Sequence, residues 1–252
     1  MNICDVQKCA AYYQQYFMET FYIVSTYSGR SFILIGEKEN FPHLVGIQKK
    51  TYKSNGYRKP GKLFYDIKMG ANISSNIIPR TISTNSKMYK KMLNFRKSND
   101  IFWKNEGPLA INYNEALSNS RLNNVDVLLS DIHKGFMLGW KKNKEIAINA
   151  DIKLQKFCIC SWIDELSGQQ SKKEKYLPNQ DVDIIRNVFA FDKNSDLIKH
   201  KFYTFDKKEK EYMLKMIARN SSNLLLDANN ERHYTSIVEN LDIHCKINGV
   251  QY

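Results

Sequence analysis

The stretch that decides the fold is residues 124–164, NVDVLLSDIHKGFMLGWKKNKEIAINADIKLQKFCICSWID. It divides into four short apolar or alternating runs: NVDVLLSD, GFMLGWKK, EIAINADI and KFCICSWID. Gly135 and Asn143 stand at the first two junctions, where a chain turns. A period of two puts alternate side chains on one face, and four such runs in succession predict an antiparallel meander.

Other strands flank this one. FYIVSTYSGRSFILIG (21–36) has two apolar runs around Ser28-Gly29 and predicts a hairpin. DIIRNVFAFD (183–192) and LIKHKFYTFD (197–206) predict two further strands. The polar segment 167–181 between them and the meander reads as an exposed loop. Helical spacing appears elsewhere. Residues 5–18 follow a capping Asp5 and carry Ala10, Tyr13 and Phe17. Pro42 suits the first position of a short helix through Val45. Residues 59–70 and 86–98 are amphipathic, and 206–220 opens with Asp206 and Glu209 at capping-box spacing. A weaker helical pattern lies near YTSIVENL. Helices around an early hairpin, followed by antiparallel strands, predict an α+β fold: a small antiparallel meander with helices packed on one face. Residues 1–165 form the expected core, and 166–252 add C-terminal strands and a helix to the same globular unit.

The 252 residues are 42% hydrophobic and 25% charged, ordinary for a globular protein able to bury a core without disulfides. The five cysteines are odd in number and no apolar leader precedes them, which predicts free thiols in the cytoplasm. No window approaches a membrane span, so no membrane partner is expected.

The charge is less ordinary, at +12 from 38 Lys and Arg against 26 Asp and Glu. A lysine-rich composition bias would spread this excess evenly. Instead Lys49, Lys50, Lys53, Arg58, Lys59, Lys62 and Lys68 face only Asp66 across residues 49–68. Lys87, Lys90, Lys91, Arg96, Lys97 and Lys104 face only Asp100 across 87–104. Tyr52, Tyr57, Phe64 and Tyr65 are interleaved with the first group. Cations neutralise phosphates and aromatic faces stack unpaired bases, so nucleic acid is the expected partner, RNA before DNA. The plain alternative is a solvated helix face with tyrosines in the core.

His43 lies in EKENFPHLVGIQKK (37–50), between an apolar strand and this basic region. By itself, a histidine beside Leu44 and Val45 reads as structural. Beside cations that gather phosphate, it reads as a proton-transfer group. His233 and Thr235, in HYTS, are secondary phosphate-binding candidates; His133 and His200 carry weaker signals. Cys158 and Cys160 share a strand face but lack a second ligand pair, so no zinc site is expected. No P-loop, His-Glu-x-x-His or Gly-x-Ser-x-Gly motif occurs. Asp126, Asp131, Asp151, Asp164 and Glu165 lie at strand ends, where carboxylates can gather a metal, but their spacing singles out none.

The segments SFILIGEKENFPHLVGIQ and KLFYDIK, through Phe41, His43, Leu44, Gly46, Ile47, Phe64 and Tyr65, resemble phage-associated nuclease domains. These are the barnase/EndoU/colicin/RelE-like (BECR) group. The resemblance covers roughly residues 20–70 and, more loosely, 124–163. It implies an α+β fold with a small antiparallel sheet and metal-independent RNA cleavage of a toxin or phage-defence kind, with an antitoxin or immunity protein as partner.

The expectation is therefore a cofactor-free endoribonuclease. The RNA 2′-hydroxyl attacks, His43 acts as general acid or base, and Tyr65 positions the phosphate or shares proton transfer. Lys49, Lys50, Lys53, Arg58, Lys59 and Lys62 bind phosphates, and Tyr52 and Tyr57 offer rings. Two alternatives stand beside it: a non-catalytic nucleic-acid-binding phage accessory protein, and a Mg²⁺-dependent, restriction-type DNA endonuclease.

Overall fold

The computed structural model describes residues 1–26, 30–95, 108–112, 122, 124–131, 136–147, 153–164, 180–192 and 198–202. The expected turn at Ser28-Gly29, residues 167–179 of the expected loop 167–181, the helix 206–220, the pattern near YTSIVENL, His233 and Thr235 lie outside these residues; Asp181, at the loop's end, already belongs to a strand.

The fold is α+β. Helix α1 (Ile3–Tyr13) is capped by Asn2, whose side chain accepts from the Cys4 amide at 2.9 Å, while Asp5 accepts from the Asn2 amide at 2.9 Å. Asp5 is thus the third helical residue of a capping box and not the cap itself. The helix does not run on to residue 18 as an α-helix. Gln14–Met18 form a π-helical turn closed by Glu19 N–H to the Gln14 carbonyl at 2.8 Å. Strands β1 (Thr20–Thr26) and β2 (Ser31–Ile35) pair antiparallel. Four helices follow: α2 (Phe41–Leu44), α3 (Lys49–Ser54), α4 (Pro60–Lys68) and α5 (Lys87–Phe95). The remaining strands are β3 (Pro108–Asn112), β4 (Val127–Asp131), β5 (Phe136–Ala147), β6 (Lys153–Asp164), β7 (Asp181–Asp192) and β8 (Ile198–Phe202). Helix α3 and strand β3 have no counterpart in the sequence expectation.

The meander survives in altered form. The second and third runs merge into the single strand β5, which passes through Asn143 without turning. The register slips instead, between Lys142 and Glu145. A bulge of this kind absorbs extra residues without ending the strand.

The sheet is larger than the small meander expected, with eight strands in the order β1-β2-β6-β5-β4-β3-β7-β8 and a further β1–β7 pairing. That pairing joins seven strands into a ring, with β8 attached outside it on β7. Six of the ring's pairings are antiparallel and one, β2–β6, is parallel. An odd ring cannot alternate direction all the way round, so a closed circuit of seven strands requires at least one parallel step.

One face of the sheet carries Tyr22, Val24, Phe32, Leu34, Leu129, Trp140, Phe157 and Ile159 into a core shared with the helices. Tyr13, Phe17, Phe41, Phe64 and Phe95 complete it, all fully buried. Phe95 stacks on Trp162 with centroids 5.8 Å apart, seating α5 on β6. Burying a side chain of this size is worth about 1.5–3 kcal/mol, so this aromatic cluster is a principal anchor of the helices on the sheet.

Candidate nucleic-acid interface

Helix α2 is short because of its sequence. Pro42 supplies a first-turn residue with fixed φ, and Gly46 ends the segment with φ +90°, where side chains are strained. Phe41, Leu44, Val45 and Ile47 all turn inward. Phe41 meets Phe64 of α4 at 5.2 Å and Phe95 of α5 at 6.1 Å between centroids. A Cβ on Gly46 would lie 3.0 Å from the Cα of Met88, so the end of α2 lies against the start of α5. Between those inward residues His43 points out and is exposed.

The cations next to His43 are not the lysines that follow it in sequence. Lys91 donates to the His43 carbonyl at 3.0 Å, and Lys87 and Lys91 both act on the ring electrostatically. Partial desolvation by surrounding protein, then the Lys91 and Lys87 charges, push the His43 pKa down to about 4. The imidazole is therefore neutral at pH 7. A lowered pKa also makes this imidazole a weaker base than an ordinary histidine.

Tyr65 sits on the outer side of α4 and is 45% exposed. Lys38 Nζ lies 4.9 Å from its ring centroid, and Phe64 meets it edge-on at 5.4 Å. So the Tyr65 ring meets Lys38 and Phe64, while His43 meets α5 through the Lys91 bond to its carbonyl. No described contact joins Tyr65 to His43.

Lys49, Lys50, Lys53, Arg58, Lys59 and Lys62 are all exposed, on α3 and the start of α4. Among the described residues none of the six forms an ion pair. Their placement is unusual for helices. A helix N-terminus carries a partial positive charge and ordinarily takes acidic residues. Helix α1 follows that rule with Asp5, whereas α3, α4 and α5 have no acidic residue in the first turn and lysines at or beside it. At the start of α4 a carboxylate comes from elsewhere: Glu39 Oε1 would lie 2.8 Å from a Cβ on Gly61. The lysines of α3 and α5 add to the field of their helix ends.

The two tyrosines expected to receive bases differ in exposure. Tyr52 is 6% exposed and belongs to the core, so its ring has no free face. Tyr57 is half-buried. Burial, then its hydrogen bond to Asp66, raise its pKa. Burial of Tyr52 does not fit a stacking ring, whereas the bond to Asp66 engages the Tyr57 hydroxyl and not its ring face.

A second polar constellation was not legible in the sequence. At the β5 bulge, Asn143 Nδ2 donates to Glu37 Oε1 at 3.0 Å and to Cys158 Sγ at 3.2 Å. Lys156 Nζ pairs with the same Glu37 oxygen at 3.1 Å. Burial works to raise the Glu37 pKa, but hydrogen bonds from Cys158, Lys156 and Asn143 outweigh it, and the net shift is downward. Burial, chiefly, pushes the Cys158 thiol up to about 11 and Cys160 up to about 12, so both are protonated and poor nucleophiles near neutrality. Tyr13 donates to the Glu37 carbonyl at 2.9 Å. The cluster ties the loop that carries Lys38 and leads into α2 to β5 and β6.

Among the described residues no group of three His, Cys, Asp or Glu could hold a metal ion, and no helix is long and apolar enough to cross a membrane. No protein-family model matches the chain, and no curated protein or solved structure matches it either.

Proposed function

We propose that the protein binds nucleic acid, RNA before DNA, through the face built by α2, α3, α4 and α5. The observation that carries this reading is the set of exposed lysines in the first turns of α3 and α5, without an acidic residue beside them. Such lysines cost the free protein stability, and a phosphate chain offsets that cost. The test is binding of labelled RNA across a salt series. Affinity should fall steeply as salt rises, and a triple Lys49→Glu, Lys50→Glu, Lys53→Glu variant should flatten the slope. Affinity independent of salt, or unchanged in the triple variant, would refute the reading.

A second reading makes the protein a metal-independent endoribonuclease. It is favoured by an exposed, neutral His43 beside Lys87 and Lys91. In this reading His43 takes the proton from the 2′-hydroxyl as that oxygen attacks phosphorus, the P–O5′ bond breaks to leave a 2′,3′-cyclic phosphate, the departing 5′-oxygen takes a proton from water, and the lysines stabilise the charge developing on the phosphate. Cleavage of RNA in EDTA, abolished in His43→Ala with binding retained, is the expected result. Bound but intact RNA leaves a binding protein. Cuts in DNA that require Mg²⁺ point to the restriction-type alternative.

A further inference from the structure

We propose that the outer face of α4 is a stacking platform for unpaired bases, centred on Tyr65 and Met69, which makes the bound nucleic acid single-stranded. This deepens the nucleic-acid reading above and rests on it.

Large apolar side chains left in water are informative when they cluster. Tyr65 is 45% exposed and Met69, the residue that caps the end of α4, is 78% exposed; the Met69 amide donates to the Tyr65 carbonyl at 2.9 Å, one turn away. Lys62, three residues before Tyr65, extends the same side and is exposed. Lys38 holds its ammonium 4.9 Å from the Tyr65 centroid, within cation–π range. Phe64 braces the ring edge-on from the core, so the exposed ring is backed by a buried one. The acidic group nearest in sequence, Asp66, is engaged by Tyr57. The platform is therefore an aromatic ring and a thioether chain bordered by two lysines, with the Glu39 carboxylate beside Gly61, one turn before Tyr65.

That chemistry suits a base with its phosphate: ring and sulfur take the flat apolar surface, and the ammonium groups take the charge. In a duplex the base faces are stacked on one another and cannot reach the platform, so it recognises single strands. Tyr52, buried in the core, cannot supply the ring, and Tyr57 is less exposed than Tyr65. The assignment also changes what is asked of Tyr65, from a hydroxyl in proton transfer to a ring face.

The test uses two 2′-O-methylated RNA probes of equal length, an unstructured oligouridylate and a blunt duplex. Neither can be cleaved through its own 2′-hydroxyl. Binding is followed by fluorescence anisotropy, with circular dichroism as the folding control. The wild type should prefer the single strand. Tyr65→Ala should weaken single-strand binding about five- to a hundred-fold and leave duplex binding unchanged. Tyr65→Phe should bind like the wild type, because the ring is kept. Equal loss on both probes, no loss in Tyr65→Ala, or a Tyr65→Phe variant as weak as Tyr65→Ala would each overturn the platform while nucleic-acid binding stands. If the wild type binds neither probe, the underlying reading fails and the platform with it.

Discussion

His43 shows what a neighbouring charge in space does that a neighbouring charge in sequence does not. Its pKa of about 4 lies below the ordinary histidine value of 6.5. Between these values the unfolded chain binds more protons than the folded one, so stability rises with pH across this window and is lost as pH falls from about 6.5 toward about 4. His43→Gln cannot take up that proton. In urea melts, the wild type should lose more stability than the variant between about pH 7 and about pH 5; equal losses would contradict the shift. If the protein cleaves RNA, the same group sets the acid limb of kcat/KM, which should fall near pH 4 instead of near 6.5. Gly36 gives a sharper structural prediction. A Cβ there would lie 2.7 Å from both the Phe17 Cβ and the Tyr13 Oη, in a fully buried site. Gly36→Ala should cost about 1–3 kcal/mol in chemical denaturation, because neither aromatic residue has room to yield.

At the scale of elements, the lysines at helix starts set stability against binding. Lys87→Glu places a carboxylate at the first position of α5, where the helix field favours it. It should raise stability by about 0.3–1 kcal/mol while lowering affinity for nucleic acid. It also removes one of the two cations acting on His43, so the acid limb should move upward in pH. A variant that gains stability with unchanged affinity would separate α5 from the interface. Elements set by local pattern were legible in the sequence: α4 and α5 fall within their predicted amphipathic windows, and β7 and β8 overlap their predicted runs. Helix α3 was not, because KKTYKS buries only Tyr52 and has almost no apolar periodicity to read. The β5 bulge was not, because Asn143 is a turn residue by composition, held in the strand by partners distant in sequence, among them Glu37, Gln155 and Cys158. The site divides in the same way. The exposed lysines of 49–62 could be read from charge alone, whereas the pairing of His43 with α5 joins residues 48 positions apart and the Lys38–Tyr65 contact crosses between separate elements.

For the whole molecule, ring closure decides where the chain can be cut. Twelve-residue β7 pairs with β1 through Thr20↔Asp192 to Thr26↔Ile185 and with β3 through Leu109↔Ile184 to Asn112↔Asp181. It lies beyond residue 165, yet it joins the first strand of the chain to the third. Val188 and Ala190 of β7 also enter the core beside Val24 and Tyr22, their register partners. A chain ended after residue 165 keeps every helix of the proposed interface but loses this strand. Strands β1 and β3 then each present an unpaired edge, and the core loses Ile185, Val188 and Ala190 together. Exposed edges of this kind recruit other chains. The truncated chain should therefore aggregate or unfold without a cooperative transition, whereas the full chain should show a single transition carrying both helix and sheet signals. Sedimentation and urea denaturation followed by circular dichroism distinguish the two outcomes. A soluble, cooperatively folding 1–165 fragment that still bound RNA would mean that the helices and the β1–β2–β6–β5–β4 strands suffice, and that closure by β7 is dispensable.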